Sequence, residues 1–85
     1  VVCHSREVRA VPRWLLRDYL VEAGGKAKGD DLVQGDGWTA RLTVLEDYRV
    51  GNLRVGQVRL ELRGSAEALA GIEAILEPKL LRGGG

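Results

Sequence analysis

The 85-residue chain contains one cysteine, one histidine, no methionine and no phenylalanine. A single cysteine excludes an internal disulfide, and one Cys with one His is too few for the common Cys/His zinc sites. No apolar run approaches the ~18 residues that a membrane span requires, and no charged-then-apolar start resembles a secretory signal. A cytoplasmic setting with no membrane is therefore expected. Charge of one sign is also missing: thirteen Lys+Arg face twelve Asp+Glu, a formal net charge of +1. Dedicated nucleic-acid or membrane-surface binders usually carry a clear basic excess, so this balance argues against both. One Asn and two Gln, beside the absent Met, give a thermophile-like composition; ten Arg against three Lys fits that or a GC-rich genome.

What is present is the balance of a folded globular protein, 45% hydrophobic and 29% charged. The length corresponds to one domain over residues 1–85, with residues 83–85 as a flexible glycine tail. A chain this short buries only ~60–65% of its unfolded surface, so good packing or a partner matters to it.

Cys3 to Ala10 alternates weakly and reads as a short strand. Pro12 suits a first helical turn, where its missing N–H would be unpaired anyway. Leu15, Leu16, Tyr19, Leu20 and Ala23 then share one face at helical spacing, until Gly24-Gly25 stops the helix. Lys26 to Gln34 reads as a short edge strand, and Gly35-Asp36-Gly37 as a hairpin turn. Trp38, Ala40, Leu42 and Val44 alternate with Thr39, Arg41, Thr43 and Leu45, the signature of a half-buried strand. Glu46 to Arg49 reads as a polar connection.

Leu53 and Val55 are apolar at odd positions, whereas Val58, Leu60 and Leu62 are apolar at even ones. That parity change asks for an extra residue or a break near Gly56-Gln57, placing both sets on one core. Ser65 reads as the N-cap of a second helix, with Ala68, Leu69, Ile72, Ile75 and Leu76 as its buried stripe. Pro78 is expected to kink or end it, with residues 79–85 trailing off. The order strand–helix–four antiparallel strands–helix makes an α+β two-layer sandwich. Its expected core is Leu15, Leu16, Tyr19, Leu20, Trp38, Ala40, Leu42, Val44, Val58, Leu60, Leu62, Leu69, Ile72 and Leu76.

Three segments carry a family resemblance: residues 11–25 (VPRWLLRDYLVEAGG), residues 50–64 (VGNLRVGQVRLELRG) and the ending RGGG at 82–85. Together they resemble the C-terminal domain of MoaD-related proteins, a small bacterial domain of unknown function, here as a stand-alone chain. The resemblance implies a TATA-binding-protein-like arrangement. In its better-known form that domain follows a sulfur carrier of the type that feeds molybdopterin synthase. It implies no catalytic residues, because the shared segments are structural.

The candidate sites are weighed beside plainer readings. Cys3-His4 pairs the only thiol with the only imidazole, but neighbours on a strand point to opposite faces, so the pair reads as incidental. Gly84 and Gly85 end the chain as in carriers whose side-chain-free tail threads an activating enzyme. Such carriers open with a β-hairpin before the helix, which this chain does not. Arg41, Arg54, Arg59 and Arg63 lie on strands, yet Glu61 shares a face with Arg59 and Arg63 and neutralises the patch. Few aromatics are left for base stacking. Asp30, Asp31 and Asp36 lack calcium-loop spacing and read as turn residues. No phosphate loop is present.

With two helices and a two-faced sheet, one face is expected to stay open, with Thr39, Thr43 and Leu45 on it. Trp14, off the helical stripe, is a further contact candidate. The expectation is a non-enzymatic binding or interaction module, with no catalytic, metal or cofactor residues. It would engage a protein partner or itself, as an accessory to sulfur-carrier or molybdenum-cofactor metabolism. The alternative is a small carrier using Gly84-Gly85 for thiocarboxylate or conjugation chemistry. Trp14, Arg41, Leu45, Gly84 and Gly85 are the residues singled out.

Overall fold

A computed structural model of the chain describes residues 1–83. Its elements run β1 (Val2–Arg9), α1 (Arg13–Glu22), β2 (Lys26–Ala27), β3 (Leu32–Gly35), β4 (Trp38–Val50), β5 (Leu53–Gly64) and α2 (Ala66–Gly83). The class is α+β, in the overall order expected from the sequence, but Lys26–Gln34, expected as one edge strand, turns back on itself to form two, β2 and β3. All five strands form one antiparallel sheet in the order β1-β5-β4-β3-β2. Both helices cover the same face: Val8 of β1, Trp38, Ala40 and Leu42 of β4, and Val58, Leu60 and Leu62 of β5 are buried on it, and the exposed His4 and Arg6 of β1 reach Glu73 and Glu77 of α2.

Local chemistry explains the elements. Pro12 precedes α1 with an extended backbone, and its carbonyl accepts from the N–H groups of Leu15 and Leu16. Gly24, at φ +106°, takes the left-handed turn that ends the helix, a conformation costly for any residue with a Cβ. Ser65 caps α2 as expected, its Oγ accepting from the N–H of Ala68 at 3.1 Å. Gly35 leaves room for the Trp38 indole, which lies where a Cβ would stand.

The core is Val8, Val11, Leu16, Leu20, Val33, Trp38, Ala40, Leu42, Val58, Leu60, Leu62, Leu69, Ile72, Leu76 and Leu80. Leu15 and Tyr19 pack against it half-buried. Val44 and Ile75 are exposed instead. Val44 has the right parity, but it lines open depressions beside Trp14 of α1 and beside Val11 and Pro12, at the rim of the helical layer, which leaves it exposed.

Two other expectations are corrected. The segment from Glu46 to Arg49 is strand, not connection, so β4 and β5 form a long hairpin. α2 continues through Pro78 to Gly83. Leu80 is buried in the core, and Lys79 pairs with Glu22 of α1 at 2.7 Å, so packing beyond the proline holds the last turns in place. Gly83 is thus helical rather than tail, while Gly84 and Gly85 lie outside the described residues.

Candidate functional site

The sheet face away from the helices has two distinct halves. In the first, all strands lie side by side. Cross-strand partners point the same way, so the register places Cys3, Arg63, Thr39 and Gln34 along one row of that face, and Ser5, Glu61, Arg41 and Leu32 along the next. These rows floor a depression of about 390 Å³ lined by Cys3, Ser5, Leu32, Thr39, Arg41, Glu61 and Arg63. The third row is Glu7, Arg59 and Thr43, with Glu7 and Arg59 paired at 3.8 Å. Charges of both signs therefore alternate across the floor. Among the described residues, no ion pair engages Arg41 or Arg63.

The second half begins where β1 and β3 stop. Leu45 pairs with Gln57, and the next partners are Tyr48 with Val55, so β4 carries one more residue than β5 across this interval. The bulge thus sits at Glu46–Asp47, with Gln57 Nε2 donating to the Glu46 carbonyl at 3.0 Å. It lies in β4, not in β5 as the parity change had implied, and β5 runs straight. The two apolar sets of β5 consequently face opposite ways: Val58, Leu60 and Leu62 into the core, Leu53 and Val55 onto the open face. The same bulge turns Tyr48 and Val50 onto that face beside Leu45. An apolar stripe of Leu45, Tyr48, Val50, Leu53 and Val55 results, with Tyr48 40%, Val50 53% and Leu53 69% exposed.

Of the residues singled out from sequence, Arg41 and Leu45 lie on this face, one in each half. Trp14 lies on the helical side, 59% exposed beside Arg13, Arg17, Asp30 and Val44. The structure therefore does not bring the three together. Cys3 and His4 point to opposite faces as expected, and His4 Nδ1 meets Glu73 of α2. Asp30 pairs with Arg17 at 3.0 Å. Among the described residues, no three His, Cys, Asp or Glu side chains cluster closely enough to hold a metal ion. Tyr48, Val50 and Leu53 escaped the sequence reading. Their signal was the odd-position pair Leu53 and Val55, which had been assigned to the core.

A family model described as archaeal MoaD-like protein matches residues 4–85, nearly the whole chain. That description names archaeal proteins, whereas the sequence resemblance pointed to a bacterial domain; the MoaD-related family is what the two share. No curated protein matches the chain.

Proposed function

The chain belongs to the archaeal MoaD-like protein family, and from that membership we propose that it is a non-enzymatic interaction module, accessory to sulfur-carrier or molybdenum-cofactor metabolism. In this reading it works in the cytoplasm as the counterpart of the C-terminal domain of MoaD-related proteins. It holds a protein partner on the open sheet face.

One observation carries the reading: both helices cover the same face of the sheet, and among the described residues no element covers the opposite face. The depression around Arg41 and Arg63 offers two guanidinium groups that make no ion pair among the described residues, with Glu61 across the register from Arg41 and the hydroxyls of Ser5 and Thr39 beside them. Arginine in such a setting suits carboxylate groups on a partner's surface, which it can grip with two parallel hydrogen bonds.

The test is capture from native lysate by wild type, Arg41→Glu and a chain ending at Leu81, with mass spectrometry of both the captured proteins and the bait. A sulfur-carrier or molybdenum-cofactor protein retained by the truncated chain and lost with Arg41→Glu supports the module. A partner or mass change lost only on truncation transfers the function to Gly84-Gly85, the carrier reading.

A further inference from the structure

β1 lies at one edge of the sheet and is eight residues long, whereas β2 at the other edge has two. The β4–β5 hairpin projects past the bulge as a two-stranded arm, so β1 is the long edge of the body of the sheet. The Ala10 N–H donates to the Gly56 carbonyl in continuation of the β1–β5 register, and such bonds recur at alternate residues of an antiparallel pair. The even-numbered residues of β1 thus turn their backbone groups toward β5, while Cys3, Ser5, Glu7 and Arg9 turn theirs outward. The Leu42 N–H, which donates to the Asp31 carbonyl, requires the same parity from the β3 side of the sheet. Among the described residues, no hydrogen bond satisfies those outward groups.

Charged side chains commonly guard such an edge. In this fold each ionisable side chain of β1 apart from Cys3 is engaged within its own chain: His4 with Glu73, Arg6 with Glu77, Glu7 with Arg59 at 3.8 Å, and Arg9 with Gln57 at 3.1 Å. These groups are free on the unfolded chain and drawn in once the sheet has formed. Cys3 to Glu7 stay exposed, so the backbone edge is open to a further strand.

We propose that this edge pairs with β1 of a second copy of the chain, antiparallel about a two-fold axis at Ser5. Outward groups must face outward groups, so the axis falls on a residue rather than between two. An axis on Arg6 or Glu7 sets like charges directly opposite each other, which destabilises a pair. One on His4 leaves Val2 against the partner's Arg6, and one nearer either end leaves much of the strand unpaired. The axis on Ser5 puts two hydroxyls at the centre, Val2 against the partner's Val8 on the helical side, and Cys3 against the partner's Glu7 on the open face. His4 comes opposite the partner's Arg6, which brings a positive charge beside Glu73. Pairing then covers nearly the whole strand. Both helical layers stay on one side of the joined sheet and both open faces on the other, because the axis is perpendicular to it. The contact uses the edge and leaves Arg41 and Arg63 free, so it stands or falls separately from the partner reading above.

Sedimentation equilibrium of the purified chain, from micromolar to millimolar concentration, tests the proposal. The expected result is reversible formation of a species of twice the 9.3 kDa chain mass. Ser5→Lys and Ser5→Asp should each weaken the dimer several-fold, because like charges meet on the axis, and an equimolar mixture of the two should restore it. Ser5→Pro removes an N–H that points to water in the single chain; it should keep the far-ultraviolet circular dichroism and weaken the dimer more than about tenfold. Arg41→Glu should leave the dimer intact. A wild type that stays monomeric throughout overturns the proposal, and so does a dimer that Ser5→Lys and Ser5→Asp leave unchanged.

Discussion

The Arg9 guanidinium lies over the Tyr48 ring, its central carbon 3.9 Å from the ring centroid. Arg9 is the last residue of β1 and Tyr48 the first paired residue of β4 beyond the bulge, so this contact joins the sheet to its projecting arm. Arg9 Nε also donates to Gln57 Oε1 at 3.1 Å, and Gln57 in turn holds the bulge carbonyl. Three contacts in series, Tyr48 to Arg9, Arg9 to Gln57 and Gln57 to the Glu46 carbonyl, thus tie the end of β1 to the bulge and to the strand beyond it.

Replacing Arg9 with alanine should cost about 0.5–1 kcal/mol, the usual range for an exposed cation–π contact. The effect should be concentrated in the arm. Amide hydrogen exchange should accelerate at Tyr48–Arg54 more than in the core strands. Uniform acceleration through the whole sheet would show instead that Arg9 supports global stability.

Gly35→Ala should be far more damaging than its size indicates. The added Cβ would occupy the space of the Trp38 ring, a buried group with no room to retreat. A loss of about 1–3 kcal/mol is expected, as for overpacked cores. Denaturant unfolding followed by tryptophan emission measures it, and the native spectrum should shift because Trp38 is displaced.

Pro78→Ala should stabilise the protein. A proline inside a helix removes one backbone hydrogen bond and crowds the preceding turn, at a cost of ~3 kcal/mol when fully felt. Here Leu80 and Lys79 hold the following turns against the core and α1 in spite of it. The melting temperature should rise on substitution. A fall would mean that the proline sets a bend on which Leu80 packing depends.

Ala10 is the one non-glycine residue among those described with a positive φ, +65°, in the connection from β1 to α1. Its N–H donates to the Gly56 carbonyl at 2.9 Å, so the conformation is held by the sheet. L-residues pay about 1–2 kcal/mol there, which glycine avoids, though glycine is freer in the unfolded chain. Ala10→Gly should therefore be neutral to stabilising in a thermal melt, whereas Ala10→Val should destabilise clearly.

Element order, the first helix with its glycine stop, the Ser65 cap and most of the core were legible because each rests on local chemistry or on strict periodicity. Leu42 and Val44 show where periodicity ends: they share a side, but only Leu42 lies beneath a helix, and helix placement is a tertiary fact. Pro78 shows local propensity overridden by packing, since Leu80 beyond it belongs to the core. Most instructive is the parity change of β5. The conflict between Leu53/Val55 and Val58/Leu60/Leu62 was visible, and a bulge was the right kind of answer. Assuming that every apolar set must face one core put the bulge in the wrong strand and hid the exposed stripe. Glu46-Asp47, polar and unremarkable in sequence, carries the bulge because register depends on both strands at once. For the open face, Arg41 and Leu45 were legible from alternation, while Tyr48 became visible only once the bulge was located.

Because β1 pairs only with β5 among the described residues, the first strand of this fold to be synthesised has no partner until nearly the whole sheet exists; Arg9 and Gln57 are 48 positions apart. The strands β2 to β5 are successive neighbours and close through local turns, whereas β1 must wait for the longest-range pairing in the fold. Its sequence suits that delay. Val2 and Val8 are its only aliphatic residues, and His4, Ser5, Arg6, Glu7 and Arg9 keep the waiting strand hydrated and poorly suited to pairing with other nascent chains. A strand that looks too polar for a sheet is, in the order of synthesis, the one least prone to aggregate before its partner arrives.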